Sequence, residues 1–358
     1  MYNIAQIAQK FKQNSKIGLF FDEVLAARSS FKIGGKAALL VEPQDEEALA
    51  EVLTTIKREA APFFVLGGGT NVLFADAGFD GIVVSTKKLS AIDVIPALDA
   101  GILSPKDCPI KSGNDSVSSG NDNAAQAQEA AAPQNREAFQ AQNGAVATIR
   151  AQAGASMAAL VSFAQGNSLT GLEEFAGLPG TVGGAAYMNA RCFDKEISQV
   201  AAKISWLEWS EAASAYVQKS QAFAPSDWQY KKSPFTGTGR IVTAAEFVLK
   251  KGSADESAKK AAAYIQARKD KGHYKAPCAG SVFKNNHAFG RPTGKIIDEL
   301  GLKGTSSGGA QIAPFHGNII INNGGATAAD VLSLINLCKS RAKERFGFDL
   351  EEEIVIAG

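Results

Sequence analysis

At 358 residues the chain is long enough for two or three domains, and 45% hydrophobic with 20% charged residues is the composition of a folded globular protein. Its 37 basic and 36 acidic residues leave a formal charge of +1, which disfavours a general nucleic-acid binder. Lys10, Lys12 and Lys16 interrupt the N-terminus, so no secretory signal is expected there. No run of 18 apolar residues occurs, so no membrane helix is expected, and the cytoplasm is the expected location.

Residues 37–43 predict a short strand leading into a helix over 46–58, which Asp45, Glu46 and Glu47 open as the helix dipole favours. A buried strand over 63–66 runs into three glycines, and another follows at 81–84. This alternation predicts α/β or α+β architecture. Residues 96–145 are rich in Ser, Gly, Asn and Asp, then in Ala and Gln, with few bulky apolar groups. They bury too little apolar surface to offset their ordering entropy and are expected to form a flexible surface insertion, a spacer. A strand at 146–153, a helix at 157–165 and a β-rich region at 198–250 come next. Helices are predicted at 257–269 and 326–346, the latter with Asp330 near its start and Arg341, Lys343 and Arg345 near its end, before a final strand at 350–357.

Cys108, Cys192, Cys278 and Cys338 form no CxxC pair and are expected to be free thiols in a reducing compartment. His273, His287 and His316 lack metal-ligand spacing, so no metal site is expected.

Five segments carry candidate chemistry. Gly67, Gly68 and Gly69, followed by Thr70, Asn71 and Val72, end a strand in a way that exposes backbone N–H groups to phosphate oxygens. No Gly-Lys-Ser/Thr follows, and Val72 stands where a Rossmann fingerprint needs glycine, so read alone the segment is equally a tight turn. A second loop holds Gly177, Pro179, Gly180, Thr181, Val182 and Gly183. It lets backbone pass close to a planar or pyrophosphate group, or is a small-residue packing contact. Two separated glycine loops suit a long dinucleotide such as FAD better than a single phosphate.

Tyr230-Lys231-Lys232-Ser233 offers a phenol, ammonium groups and a hydroxyl to an anion, or is a solvated surface segment. Ala279-Gly280-Ser281 puts a serine hydroxyl in a tight turn but not in a Gly-x-Ser-x-Gly elbow, so hydrolase chemistry is not indicated. In the closing segment, alternation predicts Glu351 and Glu353 on one face and Leu350, Glu352 and Ile354 on the other.

In this order, and with Ser29-Ser30-Phe31-Lys32-Ile33-Gly34-Gly35, Gly301-Leu302-Lys303-Gly304, Gly308-Gly309-Ala310 and His316-Gly317-Asn318, the chain resembles the UDP-N-acetylenolpyruvoylglucosamine reductases, the MurB family. The resemblance spans nearly the whole chain outside 96–145. It implies an α+β fold: a vanillyl-alcohol-oxidase (PCMH)-type FAD-binding domain of two subdomains, plus an α/β substrate-binding domain. The implied bounds are 20–90 and 91–270 for the two subdomains, 271–346 for the substrate domain, and 347–358 for a strand returning to the flavin. The short stretch from Ser233 to Arg268 matches the shorter of the family's two classes, which lacks an extra tyrosine-bearing loop.

The resemblance also implies NADPH-dependent reduction of UDP-N-acetylglucosamine enolpyruvate through FAD, in a monomer that takes a UDP-sugar and binds neither nucleic acid nor membrane. By resemblance the two glycine loops and Gly154 bind FAD, while Tyr230, Lys271 and Asn285 bind substrate. Lys231, Ser281 and Glu353 are the implied catalytic groups, with Ser281 donating a proton and Lys271 or Asn285 assisting it. The sequence departs from the family pattern at Lys231, where the motif carries arginine; lysine keeps the charge but loses the bidentate fork, and Lys232 can share the role. A second departure is Arg191-Cys192 in place of small residues; Arg191 either reaches the flavin region or points to solvent. No histidine precedes residue 273, so FAD is expected to be non-covalent.

Overall fold

The computed structural model describes residues 2–95 and 146–358. The expected insertion at 96–145, with Cys108, lies outside the described residues.

The N-terminal unit contains α1 (Ile4–Phe11), β1 (Ile17–Val24), β2 (Lys36–Pro43), α2 (Glu46–Arg58), β3 (Phe63–Leu66), β4 (Val72–Phe74) and β5 (Phe79–Ser85). Its sheet runs β1-β2-β5-β3, with β1 antiparallel to β2 and β5 parallel to both β2 and β3. Period-two alternation divides the buried side chains. Leu39, Val41, Ile82 and Val84 face α2, while Leu40 and Val83 join Leu25, Val72 and Phe74 on the other side. α2 begins where the Asp45 carboxylate accepts from the Ala48 amide at 2.8 Å, and it buries Leu49, Val52, Leu53 and Ile56. α1 and the first three residues of β1 precede residue 20, where the first subdomain was expected to start. Ile7, Ala8, Phe11 and Ile17 nonetheless belong to this core.

The middle unit holds β6 (Ile92–Ile95), β7 (Val146–Gln152), α3 (Met157–Gly166), β8 (Leu169–Thr170), α4 (Val182–Tyr187), β9 (Arg191–Cys192), β10 (Lys195–Glu196), β11 (Ala201–Ser210), β12 (Ala215–Gln221), β13 (Ile241–Lys251) and α5 (Ala254–Asp270). Five strands form an antiparallel sheet in the order β12-β11-β13-β7-β6, and β8 pairs with the end of β13. Phe175, Trp206, Phe235 and Phe247 lie in the core beneath it.

The C-terminal unit holds β14 (Cys278–Ser281), α6 (Thr293–Glu299), β15 (Ser306–Ser307), β16 (Ala310–Ile312), β17 (Ile319–Asn322) and α7 (Ala328–Phe346), with sheet order β14-β17-β16-β15. Thr327 and Asp330 form a reciprocal capping box at the start of α7, and Gly347, at φ 72°, ends it in the left-handed conformation that favours glycine. The closing segment is a regular strand only at β18 (Val355–Ala357), which runs parallel to β4.

Polar braces join the first and last units. Ser30 Oγ donates to the Cys278 carbonyl at 2.6 Å, and Asn322 Nδ2 donates to the Phe31 carbonyl at 3.1 Å. Asp76 accepts from the Ala328 and Ala329 amides at 2.7 and 3.0 Å, adding negative charge at the N-terminus of α7. Phe31, Ile33 and Leu73 extend the C-terminal core into the N-terminal unit. Cys192, Cys278 and Cys338 are free thiols. Among the described residues no helix is long and apolar enough to cross a membrane, and no cluster of three or more His, Cys, Asp or Glu side chains could hold a metal ion.

Candidate functional site

The two glycine loops meet. Residues 67–71 join β3 to β4, and the loop after Phe175 leads into α4, whose N-cap Thr181 accepts weakly from the Gly184 amide at 3.4 Å. A Cβ on Gly68 would sit 2.7 Å from the Gly180 Cα, and one on Gly180, at φ 113°, would sit 2.8 Å from Thr70 Oγ1. Both positions therefore need glycine for close approach, and Gly180 needs it for its backbone conformation as well. Gly183 fits against Ala153 and donates to its carbonyl at 2.9 Å.

Beside the joined loops lies a cleft of about 680 Å³ lined by Gly68, Gly154, Ser156, Gly180 and Thr181, together with charged Arg28, Glu42, Lys87 and Lys88. The amides of Gly67, Gly68, Gly69, Thr70 and Asn71 donate to no protein acceptor among the described residues. The same holds for Gly180 and Thr181. Partly buried backbone donors without partners are costly unless a ligand or water takes them. Such a double row suits the phosphates of a dinucleotide, so the residues present fit FAD. Val72 and Val182 sit differently: both side chains are buried in apolar cores. Gly177 does not line the cleft; its carbonyl accepts from Tyr274 Oη at 2.5 Å. Sequence reasoning missed Arg28, Glu42, Lys87 and Lys88. They are single charges on separate elements, and no spacing marked them.

The second cleft, about 540 Å³, is lined by residues from the middle and C-terminal units, Tyr230, Lys231, Ser281, Asn285 and Glu353 among them. Three candidates far apart in sequence thus share one wall-to-wall space. Lys231 Nζ donates to Glu353 Oε1 at 2.6 Å, with the two side chains only 12% and 11% exposed. Lys231 holds a left-handed backbone, φ 56°, uncommon for a non-glycine residue and often associated with functional sites. Burial raises the Glu353 carboxyl above the usual range, while the positive charge of Lys231 opposes the rise. Ser281 ends β14 by pairing with Ile319, and its Oγ has no protein partner among the described residues. Asn285 holds the start of α6 by accepting from the Thr293 amide at 2.9 Å.

The closing segment does not alternate as predicted. Glu353 enters the cleft, but Glu351 is 71% exposed and pairs with Lys284. The cause is the loss of regular strand geometry before Val355: residues 350–354 contain a single bridge, Glu352 to Phe283. Lys271 does not line the cleft; it caps α5 with its Nζ 5.3 Å from the Phe193 ring, which does line it. Lys232 is exposed and also lies outside the lining. Arg191 is part of the lining, together with His287 and Arg291, which sequence reasoning did not single out.

Residues 272–357 match the C-terminal domain of UDP-N-acetylenolpyruvoylglucosamine reductase, and residues 37–100 match an FAD binding domain. The UDP-N-acetylenolpyruvoylglucosamine reductase of Treponema denticola is 37% identical over 94% of this chain and 93% of its own length. The chain belongs to the UDP-N-acetylenolpyruvoylglucosamine reductase family. The Treponema pallidum member is 32% identical over 93% of this chain and 92% of its own length. The crystal structure of the family member from Thermus caldophilus superposes with a TM-score of 0.65 at 26% identity, covering 96% of this chain and 99% of that one. The chain is an α+β flavin-dependent reductase of the MurB family.

Proposed function

We propose that this protein reduces UDP-N-acetylglucosamine enolpyruvate to UDP-N-acetylmuramate with NADPH, a step in peptidoglycan precursor synthesis. The observation that carries the residue assignment is the buried Lys231–Glu353 pair in one cleft with Ser281. The backbone of Glu353 is tied to the first glycine loop, because Asn71 Nδ2 donates to its carbonyl at 3.0 Å.

FAD would be held non-covalently by the amides of residues 67–71, Gly180 and Thr181, with Gly154 and Ser156 also lining the cleft. When bound, it supplies hydride acceptance from NADPH and hydride donation to the enolpyruvyl double bond. The protein's own groups do the rest. Ser281 holds a proton on Oγ and gives it to the carbon next to the substrate carboxylate. Lys231 keeps two ammonium donors beyond the one it spends on Glu353, and these face charge that builds on the substrate. Glu353 fixes the ammonium in place and holds it out of bulk water. Tyr230 braces the wall: its Oη accepts weakly from the Asn285 amide at 3.4 Å. We place its action, as a monomer, in the cytoplasm.

Anaerobic addition of NADPH to the yellow holoprotein should bleach it, and the enolpyruvyl nucleotide should restore the colour. Bleaching without recolouring by this nucleotide would instead indicate a flavin oxidase or dehydrogenase acting on another substrate.

A further inference from the structure

The charges of the substrate cleft do not cancel evenly. Lys231 is neutralised by Glu353 at 2.6 Å, and the pair is nearly nine-tenths buried. Arg291 is bonded to Glu299 at 3.0 Å and stacked on Phe346, its guanidinium 4.7 Å from that ring centre. Arg191 is different. It opens the β9–β10 hairpin, where Nε donates to the Phe193 carbonyl at 3.3 Å. Neither Nη has a hydrogen-bond partner among the described residues, and it meets carboxylates only at 3.6 Å (Asp194) and 3.8 Å (Glu196). Asp194 is fully solvated, and Glu196 already accepts from Asn189 Nδ2 at 2.9 Å. Loose pairs of this kind contribute little. The guanidinium is therefore oriented at one nitrogen and open at the two that form a fork.

We propose that Arg191 is the group in this protein that binds an anionic oxygen pair of the sugar nucleotide, either the enolpyruvyl carboxylate or the diphosphate. This rests on the reductase reading above. A planar fork offers two parallel donors to such a pair, which an ammonium cannot. The Lys231–Glu353 couple brings no net charge to the cleft, so recognition of a multiply charged substrate falls to a cation whose partners are weak. Asp194 and Glu196 keep the side chain near the cleft until the substrate displaces them.

The test compares wild type, Arg191→Met, Arg191→Gln and Arg191→Lys as flavin-loaded proteins by calorimetry. The ligands are UDP-N-acetylglucosamine enolpyruvate and UDP-N-acetylglucosamine, which has the diphosphate but no carboxylate. Arg191→Gln keeps a donor for the Phe193 carbonyl and covers the case in which the methionine variant disturbs the hairpin. We expect both neutral variants to weaken the enolpyruvyl nucleotide about tenfold or more, with Arg191→Lys recovering only part. Weakening of that ligand alone assigns the carboxylate; equal weakening of both assigns the diphosphate. Unchanged affinity for both overturns the proposal. Failure of wild type to bind the enolpyruvyl nucleotide would overturn the reductase reading itself, and the Arg191 assignment with it.

Discussion

Asn71 and Glu353 lie 282 positions apart in sequence, yet the Asn71 side chain donates to the Glu353 carbonyl at 3.0 Å. One hydrogen bond thus links the loop that offers its amides to a cofactor with the residue that anchors Lys231. Replacing Asn71 with alanine should cost about 1 kcal/mol of stability and lower both flavin affinity and turnover. Equilibrium dialysis of FAD alongside kcat checks this; loss of turnover with unchanged flavin affinity would show that the link serves the carboxylate alone.

Ser281→Ala should leave bleaching by NADPH within about twofold while slowing recolouring by the enolpyruvyl nucleotide by about 10²–10⁴-fold, the range of a lost general acid. Stopped-flow absorbance separates the two halves. An equal loss in both would remove Ser281 from its proposed role.

Lys231→Met leaves a buried carboxylate without its cation and should destabilise the protein by about 3 kcal/mol near neutral pH. Adding Glu353→Gln should recover most of that loss, as denaturant melts of the single and double variants will show. The pH dependence has a definite sign. Burial already raises the Glu353 carboxyl, and losing Lys231 removes the opposing influence. The deficit of the single variant is therefore small in acid, where the carboxyl is protonated in both folded and unfolded chains, and grows as pH rises through its folded value.

His273 and His316 are held neutral, their ring centres 5.9 Å apart. Burial, aided by the charge of Arg268, lowers His273 from 6.5 to about 4, and burial also lowers His316. The unfolded chain takes up these protons first as pH falls. Stability present above about pH 6.5 should therefore decline progressively toward pH 4. His273→Asn should flatten part of that slope in thermal melts across the same range; an unchanged slope would assign the acid sensitivity to other groups.

Gly180→Ala should destabilise the protein by about 1–3 kcal/mol, because the new Cβ meets Thr70 and the backbone is left-handed. It should also release FAD, since both glycine loops shift. Melting temperature and the flavin-to-protein absorbance ratio report the two effects.

Much of this was legible in the chain. Asp45 with Glu46 and Glu47 marks the start of α2, and Asp330 marks that of α7, although its capping partner Thr327 was not read from the sequence. Order along the sequence, through family resemblance, also brought Lys231, Ser281 and Glu353 into one proposal. What stayed hidden depends on tertiary placement. Arg28 and Glu42, bonded at 2.9 Å, look like ordinary charges on a short helical turn and a strand until the fold sets them at a cleft. Glu351 and Glu353 share a parity, but a segment bridged only at Glu352 does not follow a pleat. Arg191 could be read either way from sequence, because nothing local says which way a hairpin leans.

The pairing of β18 with β4 has a consequence for synthesis. β4 follows directly on the first glycine loop, and its ladder partner is Val355–Ala357, which lies beyond the whole of the middle unit and of α7 in the chain. During translation the loop emerges early and waits for its support. The N-terminal sheet can form around α2 before β18 exists, but the nucleotide cradle gains this ladder partner only once the C-terminal unit has been made, so cofactor capture follows that unit.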